Sequence, residues 1–181
     1  GMSDSSDRDL VLRARRGDAD AFGELVRRTQ TSVFNVCYRL TGERREAEDA
    51  AQEAFIRAYE RLDRFDPDRP FGPWMRRVAA NHCLNRLSAQ PVADVPLDEE
   101  HDEDEHGRPE TIREEREQAE IMRAAILALP PNYRAVIELR HFQDMSYDEI
   151  ASALSISLSD VKSHLFRARK LLAEKIGHEF H

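Results

Sequence analysis

The stretch from residue 145 to residue 172 reads Met145-Ser-Tyr-Asp-Glu-Ile-Ala-Ser-Ala-Leu-Ser-Ile-Ser-Leu-Ser-Asp-Val-Lys-Ser-His-Leu-Phe-Arg-Ala-Arg-Lys-Leu-Leu172. Ser146, followed three positions later by Glu149, is the pattern of a capping box, which predicts the start of a short helix. Ser157 followed by Asp160 repeats the pattern, so a second helix is predicted after a very short break. Together the two predicted helices form a helix-turn-helix.

The second predicted helix has an apolar and a polar side. Apolar residues recur at helical spacing in a stripe formed by Val161, Leu165, Ala168 and Leu172. The opposite side carries Ser163, Arg167 and Lys170, and Lys162 and Arg169 lie on its flanks. A basic helix after a short helix and a tight turn is typical of insertion into a DNA major groove. The same pattern also fits paired helices of a bundle with solvated cations, so this stretch alone leaves both interpretations open.

Charge is distributed unevenly along the 181 residues, whose formal net charge is −8. Residues 91–120 hold thirteen acidic and three basic residues, so the remaining 151 residues carry a net charge of +2. Residues 69–87 contain four arginines and no acid, and residues 161–176 contain five basic residues against one acid. Because nucleic-acid affinity depends on local basic patches, the acidic total does not exclude DNA binding.

Several classes of protein are disfavoured by the sequence. No apolar run approaches the length of a membrane span, so we expect no membrane insertion. Cys37 and Cys83 lack metal-ligand spacing, and we interpret them as small core residues in a reducing cytoplasm. The sequence contains no glycine-rich phosphate loop, no metal-spaced His or Cys cluster and no nucleophile–base pair. We therefore expect neither enzymatic activity nor a cofactor.

The predicted fold class is all-α, with two small helical domains joined by an acidic flexible linker. The domains are predicted at residues 1–90 and 114–181. Residues 91–113 combine three prolines with a carboxylate run and lack helical periodicity, so their burial cannot offset the entropy of ordering. Helices are predicted at about 9–16, 19–42, 45–62, 72–88, 114–129, 131–142, 147–154 and 158–176.

The third predicted helix divides into an acidic and an apolar side. Its predicted buried stripe is Phe55, Tyr59 and Leu62. The opposite side carries Glu46, Asp49 and Glu53, with Gln52 nearby. Acids near a helix N-terminus stabilise the macrodipole, which explains part of this cluster. Glu53 lies two turns from the helix N-terminus, beyond the range of the macrodipole. We therefore interpret the acidic side of this helix as a contact for a basic protein surface.

Aromatic residues and arginines alternate in and after the loop at residues 63–70. Phe65, Phe71 and Trp74 surround Arg69 and precede Arg76 and Arg77, a pattern that can stack unpaired bases and neutralise phosphates. The next helix places Trp74, Val78, Asn81 and Asn85 on one face, where the asparagines can bond to base edges. Taken alone, the pattern is more typical of core aromatics with arginines at a solvated rim.

Two sets of motifs in this chain resemble the extracytoplasmic-function group of bacterial RNA polymerase sigma factors. The N-terminal set is Gly17-Asp-Ala-Asp-Ala-Phe22, Ala47-Glu-Asp-Ala-Ala-Gln-Glu-Ala-Phe55 and Pro70-Phe-Gly-Pro-Trp-Met-Arg-Arg-Val-Ala-Ala-Asn81. The C-terminal set is Leu129-Pro-Pro-Asn-Tyr-Arg134, Leu139-Arg-His-Phe142, the helix-turn-helix and Arg167-Ala-Arg-Lys170. They correspond to the family's regions two and four and cover nearly the whole chain apart from the linker.

The resemblance implies a transcription initiation factor whose partners are core RNA polymerase, promoter DNA and an anti-sigma factor. The implied polymerase-docking residues are Glu46, Asp49, Gln52 and Glu53. The stretch from Arg64 to Trp74 matches the loop that captures a flipped base of the minus-ten element. The implied minus-ten contacts are Arg64, Phe65, Arg69, Phe71, Trp74, Arg76, Arg77, Asn81 and Asn85.

Duplex DNA at the minus-thirty-five element is the implied target of the helix-turn-helix. Its candidate contacts are Ser159, Asp160, Lys162, Ser163, His164, Arg167 and Lys170. The chain departs from the common pattern at some positions, since family members often have glycine at position 155 and arginine at positions 72 and 164.

Two other functions also fit part of the sequence. A polymerase-independent regulator would place a helical sensor domain ahead of the helix-turn-helix, and a protein adaptor would make no use of the basic helix. The acidic third helix and the aromatic–arginine loop disfavour the first, and the basic helix disfavours the second.

Overall fold

The computed structural model describes residues 5–89 and 110–177, and within these ranges it contains eight α-helices and no β-strand. The all-α prediction is therefore confirmed. The chain divides into two compact units, residues 1–91 and 92–181. The predicted flexible linker lies, up to residue 109, outside the described residues.

The first unit contains helices α1 to α4, with bounds Asp7–Arg15, Ala19–Thr41, Arg44–Glu60 and Phe71–Ala89. Side-chain caps begin the first two, since Ser6 accepts from the backbone of Asp9 and Asp18 accepts from that of Ala21. Gly42 ends α2 in the left-handed conformation, with a φ of 76°, which glycine adopts without steric cost. Helix α2 packs against the other three.

The buried face of α3 consists of alanines, which the sequence analysis did not predict. The buried residues of the helix are Ala47, Ala50, Ala51, Ala54 and Ala58. Of the predicted stripe only Leu62 is buried. Phe55 is half-buried, and Tyr59 is 48% exposed and packs edge-on against Phe22. Small side chains let α2 and α4 approach α3 closely, which leaves no room for rings between the helices.

The second unit contains helices α5 to α8, with bounds Glu110–Leu127, Pro131–Ile137, Tyr147–Leu154 and Leu158–Ile176. Helix α5 begins four residues earlier than predicted, inside the segment taken as linker. Residues 110–116 contain glutamates and arginines, which are good helix formers, so the helix propagates into the acidic segment.

Helix α6 ends five residues before the predicted bound and continues as a wide turn, Glu138–Phe142. Here the backbone N–H of Gln143 donates to the carbonyl of Glu138 at 3.0 Å, an i→i+5 bond. Glu138 is only 1% exposed, and its carboxylate accepts from the side chain of Gln143 at 3.1 Å. The wide turn therefore allows a buried acid to be satisfied within its own segment.

The helix-turn-helix of α7 and α8 forms as predicted. Ser146 and Glu149 exchange both capping-box bonds, at 3.1 and 2.9 Å, and Ser157 caps α8 by accepting from the backbone of Asp160. Ser155 ends α7 with a φ of 56°, a conformation that glycine adopts more readily. The predicted apolar stripe of α8 is confirmed, since Val161, Leu165, Ala168 and Leu172 are all fully buried.

Overpacking the alanine face of α3 should destabilise the first unit. Ala54 is 0% exposed, so we expect Ala54→Leu to lower the free energy of unfolding by about 1–3 kcal/mol. Urea denaturation followed by the fluorescence of Trp74, the only tryptophan, measures this unit. Glu48→Leu on the exposed side of α3 is the control and should have little effect. Equal stability of the Ala54 variant would mean that the face is loosely packed.

Candidate protein and nucleic-acid interfaces

The acidic side of α3 is tied to α4 by an arginine that the sequence analysis did not identify. Arg86 donates to Glu46 at 2.6 Å and to Glu53 at 2.8 Å, so its guanidinium bridges two carboxylates that lie two turns apart on α3. His82, which is buried, donates from Nε2 to the same oxygen of Glu53 at 2.8 Å. The four residues form one network, which we call the α3–α4 ion-pair network.

The α3–α4 ion-pair network stabilises the ionised form of Glu53. Its hydrogen bond with His82 lowers the pKa of the Glu53 carboxyl, and the charge of Arg86 acts in the same direction against partial desolvation. Glu53 is therefore ionised at neutral pH. Asp49 and Gln52 lie on the exposed surface beside it. This side of α3 presents three carboxylates against one arginine, and it remains acidic.

A pocket of about 410 Å³ lies where the loop meets the start of α4. Its lining is Arg64, Phe65, Asp66, Arg69, Pro70, Pro73, Trp74 and Arg77. The ring centroids of Phe65 and Trp74 are 4.7 Å apart, and Phe71 contacts both rings at 5.7 Å. Phe65 and Phe71 are almost fully buried, whereas Trp74 is half-buried. The pocket thus has an aromatic wall anchored in the core and a rim of arginines.

Arg15, at the end of α1, holds the pocket loop in place. Its Nε donates to the carbonyl of Leu62 at 2.9 Å, and its terminal nitrogen donates to those of Asp63 and Phe65. One guanidinium thereby satisfies three loop carbonyls that lie about fifty residues away in sequence. No periodicity or motif in the sequence marks Arg15 for this role, since the pairing exists only after folding.

The structure brings together some, but not all, of the nine predicted minus-ten residues. Arg64, Phe65, Arg69, Trp74 and Arg77 come together at the pocket, and Asn81 and Asn85 are exposed further along α4. Phe71 is 1% exposed, so it supports the pocket from the core and does not offer a face to a ligand.

Arg76 is half-buried and does not line the pocket. Its guanidinium lies over Gly72, where a Cβ atom would approach the terminal nitrogen to 3.1 Å. A larger side chain at position 72 would therefore have to share this space with Arg76.

The outer side of α8 carries most of the predicted duplex contacts. The exposed ones are Ser159, Asp160, Lys162, Arg167 and Lys170, and Ser163 is half-buried. His164 turns towards α6, where its ring packs on Tyr133 with a centroid distance of 5.6 Å. Phe166 is 69% exposed between the basic residues. The sequence analysis did not select Phe166, although its position outside the predicted buried stripe indicates an exposed aromatic side chain.

His141 connects the wide turn to α8. Nε of Arg169 donates to Nε2 of His141 at 3.2 Å, which requires that ring nitrogen to be unprotonated. Burial lowers the pKa of His141, and the nearby charges of Arg169 and Arg140 lower it further. The turn and the basic helix are thus joined through a neutral histidine.

Within the described residues, no helix is long and apolar enough to cross a membrane. The same residues contain no group of three or more His, Cys, Asp or Glu side chains placed to hold a metal ion.

Comparison with known proteins gives matches at both units. Residues 25–91 match the family model of sigma-70 region 2, and residues 119–172 match that of sigma-70 region 4. The chain is 34% identical to the ECF RNA polymerase sigma factor SigW of Bacillus subtilis, over 92% of this chain and 94% of the relative. It is 35% identical to the ECF RNA polymerase sigma-E factor of Escherichia coli, over 94% of each.

A similar solved structure is that of CnrH in complex with the cytosolic domain of CnrY. The match covers 96% of this chain and 98% of CnrH, with 27% identity and a TM-score of 0.57.

Acidification should loosen the second unit through His141. Its pKa in the folded state lies below the ordinary value of 6.5, so its contribution to stability is complete above pH 6.5 and is lost as the pH falls below that value. Amide hydrogen exchange in α8 between pH 8 and pH 5 measures the opening free energy. His141→Gln keeps an acceptor without a titrating ring and should flatten this dependence. If the opening free energy still depended steeply on pH in the His141→Gln variant, another titrating group would be responsible.

Proposed function

Since this chain belongs to the extracytoplasmic-function group of the sigma-70 family of RNA polymerase sigma factors, we propose specific roles for the surfaces described above. The protein is a transcription initiation factor that directs RNA polymerase to promoters. In our proposal the first unit docks on core polymerase and traps a melted promoter base, and the second unit contacts duplex DNA. The catalytic step belongs to the polymerase, so this chain needs no catalytic group of its own.

Core polymerase contacts the acidic side of α3 in this proposal. Asp49 and Gln52 are exposed and meet the partner directly. Glu46 and Glu53 already bond to Arg86. In the proposal they therefore add negative charge to the docking surface and make no separate bonds to the polymerase. A basic surface is the complementary partner, because clustered charges of one sign steer association and reject surfaces of the same sign.

The pocket is the single observation that carries the DNA-melting part of the proposal. Its aromatic wall can stack a base, and its arginine rim can neutralise the adjoining phosphates. A base inside a duplex cannot enter such a pocket, so capture requires that the nucleotide leave the stack. Binding energy at the pocket thus favours the melted strand. Asn81 and Asn85 extend this contact along α4.

Duplex DNA meets the exposed side of α8 in the second unit. Lys162, Arg167 and Lys170 supply the positive charge, and the serines at positions 159 and 163 supply short polar contacts. Phosphate contacts fix the position of the helix, and base contacts in the major groove give specificity. We also propose a base contact for Asp160 in the first turn of α8, where its carboxylate can accept from a cytosine amino group.

We also propose a regulatory protein partner of the anti-sigma type and a cytoplasmic location. The likeness to CnrH, which was solved in complex with the cytosolic domain of CnrY, supports such a partner. The location follows from the proposed partners, since polymerase and promoter DNA are in the bacterial cytoplasm.

Reversing the charge of Asp49 tests the docking surface. Asp49→Lys places a cation opposite a basic partner, so we expect the affinity for core polymerase to fall at least tenfold, with loss of promoter-directed transcription. Glu60→Lys, an exposed reversal at the far end of α3, is the matched control and should bind normally. Circular dichroism verifies equal helical content. Wild-type affinity of the Asp49 variant would place the docking surface elsewhere.

Truncation of Arg167 tests the duplex contact. We expect Arg167→Ala to weaken binding of the holoenzyme to its selected duplexes by roughly 1–3 kcal/mol if the side chain reads a base. Lys175→Ala removes one exposed charge from the last turn of α8 and should change binding little. Competition binding at two salt concentrations separates a base contact from a phosphate contact. Equal losses of affinity in the two variants would mean that Arg167 contributes only non-specific positive charge and does not read a base.

A further inference from the structure

The pocket contains one carboxylate among its arginines. Asp66 lines it together with Arg64, Arg69 and Arg77, and the sequence analysis did not select it. A negative charge beside the phosphates of a bound strand lowers affinity. Its placement in the pocket therefore cannot be explained by strength of binding.

The two oxygens of Asp66 have different surroundings. Oδ1 accepts from the backbone N–H of Asp68 at 3.0 Å and so closes an Asx turn in the loop. Oδ2 lies 3.9 Å from Nε of Arg69, which is beyond hydrogen-bond distance. The side chain is 56% exposed. One oxygen thus maintains the loop, and the other retains its capacity to accept a bond from a ligand.

We propose that Asp66 selects the captured base by accepting a hydrogen bond from an exocyclic amino group. This inference rests on the proposed role of the pocket in base capture. Cytosine, adenine and guanine carry such an amino group near a ring acceptor, so each can bond to Asp66 and to an arginine of the rim at once. At the two positions where cytosine has its amino group and ring acceptor, thymine presents the O4 carbonyl and the N3–H donor. The carbonyl repels the carboxylate, and the N3–H faces an arginine donor.

Selection of this kind works by rejection as well as attraction. The arginines donate to acceptors on every base, so they cannot by themselves distinguish cytosine from thymine. Beside an arginine donor, the carboxylate of Asp66 adds an acceptor that matches an amino group next to a ring acceptor, a pair of groups that thymine lacks. Asp66 lowers affinity for all strands and lowers it most for thymine.

Asp66→Asn is the informative substitution because it separates the two oxygens. The amide oxygen of asparagine can still accept from the backbone of residue 68, so the turn is kept. The amide nitrogen replaces Oδ2 and converts an acceptor into a donor, which suits thymine. The preference for an amino-bearing base should therefore be lost or reversed.

Asp68→Asn is the matched control. It removes the same charge from the same loop, but Asp68 pairs with Arg8 at 2.9 Å and does not line the pocket. Both variants should bind single strands more tightly by a similar, salt-dependent factor. Only the Asp66 variant should change which base is preferred.

The experiment uses the full chain assembled with core polymerase and fork-junction DNA with a randomised single-stranded segment. Sequencing of the bound strands gives the base preference at each position. The pocket position is the one whose preference disappears in Trp74→Ala, with Arg77→Ala as a second pocket variant. At that position the wild type should favour amino-bearing bases over thymine on the order of tenfold, as for a hydrogen bond to a charged group.

The possible outcomes separate the two hypotheses. If no position depends on Trp74 or Arg77, the pocket captures no base and the proposed function fails there. If such a position exists but Asp66→Asn keeps the wild-type preference, or the wild type favours thymine, the role of Asp66 is overturned. A change of preference in Asp66→Asn that is absent in Asp68→Asn supports it.

Discussion

The close approach of α3 to α2 and α4 is the constraint on which the first unit depends. Alanines at the contact let the three backbones pack tightly, and this brings the end of α4 within reach of the acidic side of α3. Arg86 can then bridge Glu46 and Glu53. A larger side chain at Ala54 would push the helices apart and lengthen both bonds. The surface that we propose for polymerase docking therefore depends on small residues in the core.

Arginines organise the remaining surfaces by satisfying groups that the helices leave unpaired. Arg15 collects three carbonyls of the pocket loop, and Arg169 joins α8 to the wide turn through His141. Arg15 acts as a fixed fork of donors, a geometry that lysine cannot supply. Other basic residues, such as Lys162, Arg167 and Lys170, are exposed and belong to the surface that we propose for DNA contact.

Sequence patterns predicted the helices, the capping box and the buried stripe of α8, because each depends on residues close together in the chain. They failed for α3, where the large residues lie outside and the alanines inside, since periodicity weights large apolar residues as core. They also missed Arg15, Arg86 and Asp66. The contacts of Arg15 and Arg86 are made across about thirty to fifty positions, and no local pattern records such distances. The wide turn after α6 was missed for a different reason. It accompanies the buried pair of Glu138 and Gln143, and periodicity does not indicate that a glutamate is buried.

The position of the core aromatics gives the two surfaces that we propose for DNA contact different capacities for evolutionary change. On α8 the exposed side chains are separate from the buried stripe, so substitutions there alter contacts at little cost in folding. Phe65 belongs to the pocket and to the core at once, and Phe71 supports the pocket from the core, so replacement of either would cost stability. A lineage descended from this protein can therefore drift readily in its duplex target, whereas new specificity at the pocket must come from its rim.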